Sequence, residues 1–167
     1  MSGLSALRIL VVDDNAQMRT IIGTVLSAAG VRNLNYAPTA EFGLQQLAGL
    51  PIDVVYVDYE MPGMDGLEFL SAARRLPGDK KYTPIIMLTG HSDMLRLSAA
   101  RDRGVTEFLA KPVTARNVLL RLNAVIYHPR DFISTATYFG PDRRRRADDD
   151  YRGPRRRRAD VREMIEL

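Results

Sequence analysis

The stretch Ile52-Asp53-Val54-Val55-Tyr56-Val57-Asp58 decides the fold. From Ile52 to Val57 it is a short, largely apolar run rich in β-branched residues, and it ends on a carboxylate. A run of that length without regular polar alternation reads as a strand buried on both faces, the habit of parallel sheets clad in helices.

The same pattern repeats outward in both directions. Toward the N-terminus, Arg8-Ile9-Leu10-Val11-Val12 is a first buried strand. Asn15 can cap the helix that follows, in which Met18, Ile21, Ile22, Val25, Leu26 and Ala29 recur at helical spacing until Gly30 stops it. Leu34 to Ala37 is a weaker second strand, and Thr39 opens a helix through Leu47 that Gly49 and Pro51 end. Toward the C-terminus, a loop with Pro62 and Gly63 leads into a helix from about Asp65 to Arg75. Pro84 opens the strand Ile85-Ile86-Met87-Leu88, and Ser92 or Asp93 caps a helix ending at Gly104. Val105 to Ala110 is a fifth strand and Thr114 to Tyr127 a fifth helix. A chain of βα units implies an α/β protein: a five-stranded parallel sheet covered on both faces through right-handed crossovers.

The 167 residues hold no cysteine, which excludes a disulfide framework, a thiolate zinc site and a cysteine nucleophile. Met1 to Leu7 lacks a basic segment leading into an apolar one, so no signal peptide is expected. No apolar run reaches the ~18 residues of a membrane span. A cytoplasmic chain without a membrane partner is the expectation. The net charge of +4 is uneven: residues 1–128 carry 13 Lys/Arg against 12 Asp/Glu, while residues 129–167 carry 11 against 8. The basic character belongs to the tail.

In an open parallel sheet, ligands bind beyond the carboxyl ends of the strands. Here those ends carry Asp13 and Asp14, then Asp58, then Thr89, then Lys111 before Pro112. Carboxylates gathered together repel one another unless a cation intervenes. Oxygen donors with open positions suit Mg²⁺, whose shell is completed by water and phosphate. Lys111 offers a point charge to a phosphoryl oxygen, Thr89 a rotating donor, and a carboxylate can attack phosphorus to form an aspartyl-phosphate. Taken singly, each residue has a plainer reading: the acid pair as helix capping, Thr89-Gly90 and Lys111-Pro112 as turns, Phe108 as core, Glu60 and His91 as surface residues.

Together, Val11-Val12-Asp13-Asp14, Val57-Asp58-Tyr59-Glu60-Met61-Pro62-Gly63-Met64-Asp65-Gly66, Leu88-Thr89-Gly90 and Ala110-Lys111-Pro112 resemble the receiver domain of two-component response regulators, over residues 7–128. The resemblance implies a flavodoxin-like, doubly wound sheet in the order 2-1-3-4-5. It implies Asp58 as phosphoacceptor, and Asp14, Asp58 and the backbone carbonyl of Glu60 as Mg²⁺ ligands, with Asp13 assisting, partly through water. Lys111 would be the phosphate counter-charge, Thr89 the switch hydroxyl and Phe108 the aromatic that turns inward with it. Glu60 and His91 would flank the path of the hydrolytic water and set the lifetime. The donor would be a sensor histidine kinase or a histidine phosphotransfer protein, and the readout face the fourth helix, fifth strand and fifth helix, offered to a downstream protein. The implied role is a signalling switch, not an enzyme acting on a metabolite.

On the fifth helix, Val118, Leu119, Leu122, Val125 and Ile126 form one stripe, leaving Leu120, Ala124 and Tyr127 opposite. A partner, a second copy forming a homodimer through that face, or the tail itself can cover them. Residues 129–167 are too few for an independent domain without disulfides or metal, so they are expected as an arginine-rich extension. Its two runs of four arginines raise an alternative, phosphorylation-gated nucleic-acid binding. Against it stand Asp148-Asp149-Asp150 and the lack of any reading module, so nucleic acid is not the expected partner. Phe132 to Phe139 has the composition of an extended stretch, suited to lie across the fifth helix or along a partner's sheet edge. Asp160 to Glu163 has the spacing of a capping box for a short terminal helix.

Overall fold

Helix caps fall where the sequence supplies side-chain oxygens. The Asn15 Oδ1 accepts from the N–H groups of Gln17 and Met18, Thr39 Oγ1 from Phe42, Asp65 Oδ1 from Glu68, and Thr114 Oγ1 from Asn117. These caps open α1 (Ala16–Ala28), α2 (Ala40–Gly49), α3 (Gly66–Ala73) and α5 (Ala115–Tyr127), while α4 spans Met94–Asp102. The structure, a computed structural model, describes residues 3–90 and 94–143. His91 and the expected caps Ser92 and Asp93 lie outside the described residues, as do the second arginine run and the terminal helix expected from Asp160.

The strands are β1 (Arg8–Val12), β2 (Asn33–Ala37), β3 (Val54–Asp58), β4 (Ile85–Thr89) and β5 (Glu107–Ala110). They form one parallel sheet in the order β2-β1-β3-β4-β5, the flavodoxin-like arrangement expected from the sequence. Several strand edges differ from the reading above: β2 starts one residue earlier, at Asn33, β3 starts two later, at Val54, and β4 runs on through Thr89. β3 runs through Asp58, because Asp58 is still in register with Leu88 of β4. β5 starts at Glu107, because the Val105 N–H is taken by the Ala100 carbonyl in closing α4.

Alternate residues of the buried strands feed two cores. Leu10, Val12, Val55, Val57, Ile85 and Met87 meet Leu47 of α2 and Phe69 and Leu70 of α3 on one face. Ile9, Val11, Val54, Tyr56, Ile86 and Leu88 meet Ile22 and Leu26 of α1 and Val118, Leu122 and Val125 of α5 on the other. The expected stripe of α5 is thus the buried one, with Leu120 and Tyr127 exposed. The Tyr56 hydroxyl, inside the second core, donates to the Val118 carbonyl at 2.9 Å and ties β3 to α5.

Past α5 the chain forms a hairpin of β6 (Phe132–Ser134) and β7 (Phe139–Pro141), paired antiparallel. The stretch is extended as its composition suggests, but it pairs with itself. Its contacts lie at the amino ends of β4 and β5. The Phe132 and Phe139 rings pack on Tyr82 at 5.2 and 5.6 Å, and the backbones at Gly104 and Gly140 touch so closely that a Cβ on Gly140 would sit 2.5 Å from the Gly104 Cα.

Beneath the hairpin lies Arg74, buried against the ends of α3 and α4. Its guanidinium donates to the carbonyls of Gly104, Lys81 and Thr83 and to Thr106 Oγ1, and the Phe132 ring covers it at 5.0 Å. Burial pulls Arg74 down to about 9, which leaves it a cation at neutral pH. Among the described residues no carboxylate pairs with it.

Candidate functional site

Strand register assembles the site. Val12 of β1 is level with Val57 of β3, so Asp13 follows alongside Asp58. Asp58 is level with Leu88, which sets Thr89 one step further out; Thr89 is level with Ala110, which sets Lys111 one step beyond that. A staircase of side chains at the carboxyl ends of the strands results, as the general rule for open parallel sheets requires. A glycine is needed beside it. A Cβ on Gly66 would fall 2.3 Å from the Asp58 carbonyl, so the first turn of α3 passes the strand end only because position 66 has no side chain.

The side chains converge. Carboxylate oxygens of Asp13, Asp14 and Asp58 all lie within 4.8 Å of one another. The Lys111 Nζ is 2.9 Å from Asp58 Oδ1, and the Lys111 N–H donates to the Thr89 carbonyl at 2.9 Å. Asp13 and Asp58 are buried, and so is Thr89; Asp14 is exposed and Lys111 half-buried. Phe108 is half-buried in β5, with the Arg101 guanidinium 5.9 Å from its ring centre. Glu60 is exposed and forms an ion pair with Arg96 of α4, a residue the sequence gave no reason to single out. His91 lies outside the described residues.

The electrostatics are those of a site waiting for positive charge. Asp13 is pushed up to about 6, chiefly by loss of solvent, with the carboxylates of Asp58 and Asp14 adding to it against the Asn15 N–H and Lys111. Asp58 is also raised by burial, opposed by Lys111 and by the Glu60 N–H that donates to it. One oxygen, Asp13 Oδ2, is buried without a hydrogen-bond partner. An unmet carboxylate oxygen facing two more carboxylates is costly in a finished core and natural in a cation site. The all-oxygen donor set fits a hard divalent ion such as Mg²⁺.

A doubly wound sheet with clustered acids, a threonine and a lysine at its carboxyl edge defines the class: doubly wound α/β proteins whose acidic site lies beyond the carboxyl ends of the strands. Comparison with known proteins narrows the class to one family. Residues 9–123 match the response regulator receiver domain, and the chain belongs to that family. It is 32% identical over 125 residues to a probable chemotaxis protein CheY of Rhizobium etli, covering 75% of this chain and 96% of that one. It is also 36% identical over 113 residues to protein-glutamate methylesterase/protein-glutamine glutaminase 2 of Burkholderia thailandensis, of which it spans only 31%. Among solved structures, chemotaxis protein CheY4 of Vibrio cholerae superposes with a TM-score of 0.68 at 30% identity, over 72% of this chain and 98% of that one.

The protein is therefore a CheY-like receiver, a signalling switch of phosphorelay systems. The matched part of the methylesterase is a minor share of its length, and its activity belongs to that protein. Nucleic-acid binding through the arginine-rich extension finds no support in these comparisons. Among the described residues, no helix is long and apolar enough to cross a membrane.

Proposed function

We propose that Asp58 accepts a phosphoryl group from a phosphohistidine of a sensor kinase or phosphotransfer protein in the cytoplasm. The observation that carries this is Lys111 Nζ at 2.9 Å from a buried Asp58 whose neighbours are two further acids. A lysine there holds the acceptor carboxylate in place and then meets a phosphoryl oxygen as a point charge. Asp13, Asp14, Asp58 and the Glu60 carbonyl would hold Mg²⁺, which supplies charge neutralisation for the transferring oxygens. The Asp58 oxygen forms the new bond to phosphorus as the bond to the donor nitrogen breaks, and the histidine leaves.

Thr89 stands one register step beyond Asp58, where its hydroxyl can turn toward a phosphoryl oxygen, and Phe108 on the neighbouring strand would follow into the space released. That pair is the two-state element by which phosphorylation alters the face of α4, β5 and α5 offered to a downstream protein. The exposed Leu120 and Tyr127 on α5 suit that face to a protein partner, a second copy included. We read the receiver as ending near residue 128 and residues 129–167 as its extension.

The test is chemical. The protein is incubated with acetyl phosphate and Mg²⁺, and intact masses of wild type and Asp58→Ala are compared. A phosphoryl adduct present in the first and absent from the second is the expected result. An adduct retained by Asp58→Ala would move the acceptor elsewhere.

A further inference from the structure

Glu60 stands two residues beyond the phosphoacceptor, in the loop that leaves the carboxyl end of β3. Its side chain is pulled into an ion pair with Arg96 on the first turn of α4. Arg96 has a second anchor, because its guanidinium lies 5.2 Å from the ring centre of Tyr59, the residue between Asp58 and Glu60. Tyr59, Glu60, Met61, Pro62, Asp65 and Arg96 line a groove of about 380 Å³ beside the acceptor. A planar guanidinium that both lies over a ring and pairs with a carboxylate has its orientation set, as a lysine would not.

We propose that Arg96 is a positioning residue that lengthens the life of the phosphorylated state by holding the Glu60 carboxylate toward α4. The proposal rests on Asp58 as acceptor and on Glu60 lying beside the path of the hydrolytic water. In hydrolysis, the water oxygen bonds to phosphorus, the bond from phosphorus to the Asp58 oxygen breaks, Asp58 departs as a carboxylate, and the water proton passes to solvent. A carboxylate free to accept a hydrogen bond from that water orients it for attack. With its Oε1 paired to Arg96, the Glu60 carboxylate is drawn toward α4 and away from that water. The pair is exposed, and exposed pairs add little to stability, so its removal acts on the chemistry and leaves the fold intact.

The experiment is a double-mutant cycle on the full chain, phosphorylated with acetyl phosphate and Mg²⁺ and then freed of donor, with loss of the adduct timed by intact mass. Arg96→Ala is expected to shorten the half-life several-fold in the wild-type background and to leave it unchanged in the Glu60→Gln background. Arg96→Lys should restore part of the lifetime, and the urea midpoint should stay the same throughout. An equal effect of Arg96→Ala in both backgrounds, or none in either, overturns the proposal. If adding Glu60→Gln to Arg96→Ala does not restore the half-life, the reading of Glu60 falls and the role of Arg96 with it. If no adduct forms in any variant, the assignment of Asp58 itself has failed.

Discussion

Asp58 and Arg74 are both charged and nearly inaccessible, 5% and 7% exposed, yet the fold treats them in opposite ways. Arg74, at the amino ends of β4 and β5, has acceptors for its donors: three carbonyls and a hydroxyl, with an aromatic ring as lid. Asp58, at the carboxyl ends, has the Lys111 Nζ at 2.9 Å but is packed among other acids and shares its neighbourhood with the unpartnered Asp13 Oδ2. A buried charge whose hydrogen bonds are complete holds structure together. One set beside two further acids and a single lysine, with a raised proton affinity, is held ready for a ligand. The same sheet therefore has a finished end and an unfinished one.

The comparison breaks if removing one charge from each end has effects of the same sign. Arg74→Met should destabilise the protein by about 3 kcal/mol, because the carbonyls of Gly104, Lys81 and Thr83 lose their donor inside the fold. Asp13→Asn should instead stabilise the metal-free protein at neutral pH by about 1–2 kcal/mol, because it removes one of three mutually repelling carboxylates. Urea denaturation of both variants in EDTA decides it. A destabilised Asp13→Asn would mean that the acid cluster is a satisfied part of the core after all.

The unfinished end should also be visible in pH and metal dependence. Folded Asp13 keeps its proton up to about pH 6, whereas an ordinary aspartate releases it near 3.8. Between those values the folded form binds more protons than the unfolded one, so stability falls as pH rises through the window. Two units correspond to on the order of 3 kcal/mol, and the burial of Asp58 acts in the same direction. The loss should show as a difference between wild type and Asp13→Asn in EDTA. Mg²⁺ should offset it at pH 7.5, by about 1.4 kcal/mol for each tenfold excess over its dissociation constant, and do less at pH 4.5, where Asp13 is protonated. A Mg²⁺ effect independent of pH would place the ion elsewhere.

The unfinished end was legible in the sequence, and the finished end was not. Asp13, Asp14, Asp58, Thr89 and Lys111 could be read because each closes an apolar strand, and parallel register carries strand ends to one edge regardless of what lies between. Arg74 and Phe132 could not. They are 58 positions apart, and the contact depends on a hairpin whose short strands have no amphipathic period to announce them. Arg96 escaped for a related reason: an arginine on the exposed side of a helix reads as solvated until the loop opposite is placed. Sequence pattern reports what an element does with its own neighbours; pairs set by side-chain reach across elements need the coordinates.

Tyr56 is the smallest case of that kind and the sharpest control. It sits midway along β3, two residues before Asp58, with its ring in the α1/α5 core and its hydroxyl on the Val118 carbonyl. Burial raises its proton affinity, so the phenol stays neutral and the bond persists across the pH range above. Tyr56→Phe keeps the ring and removes only that bond, and the Val118 carbonyl lies in α5, where the helix ladder already supplies a donor. The expected cost is about 1 kcal/mol by urea denaturation, with no change in its pH dependence or in the response to Mg²⁺. A variant that altered the Mg²⁺ response would show that the polar link from β3 to α5 is transmitted to Asp58. The acid end would then be shaped by a core contact, where the comparison with Arg74 assigns it to the cluster alone.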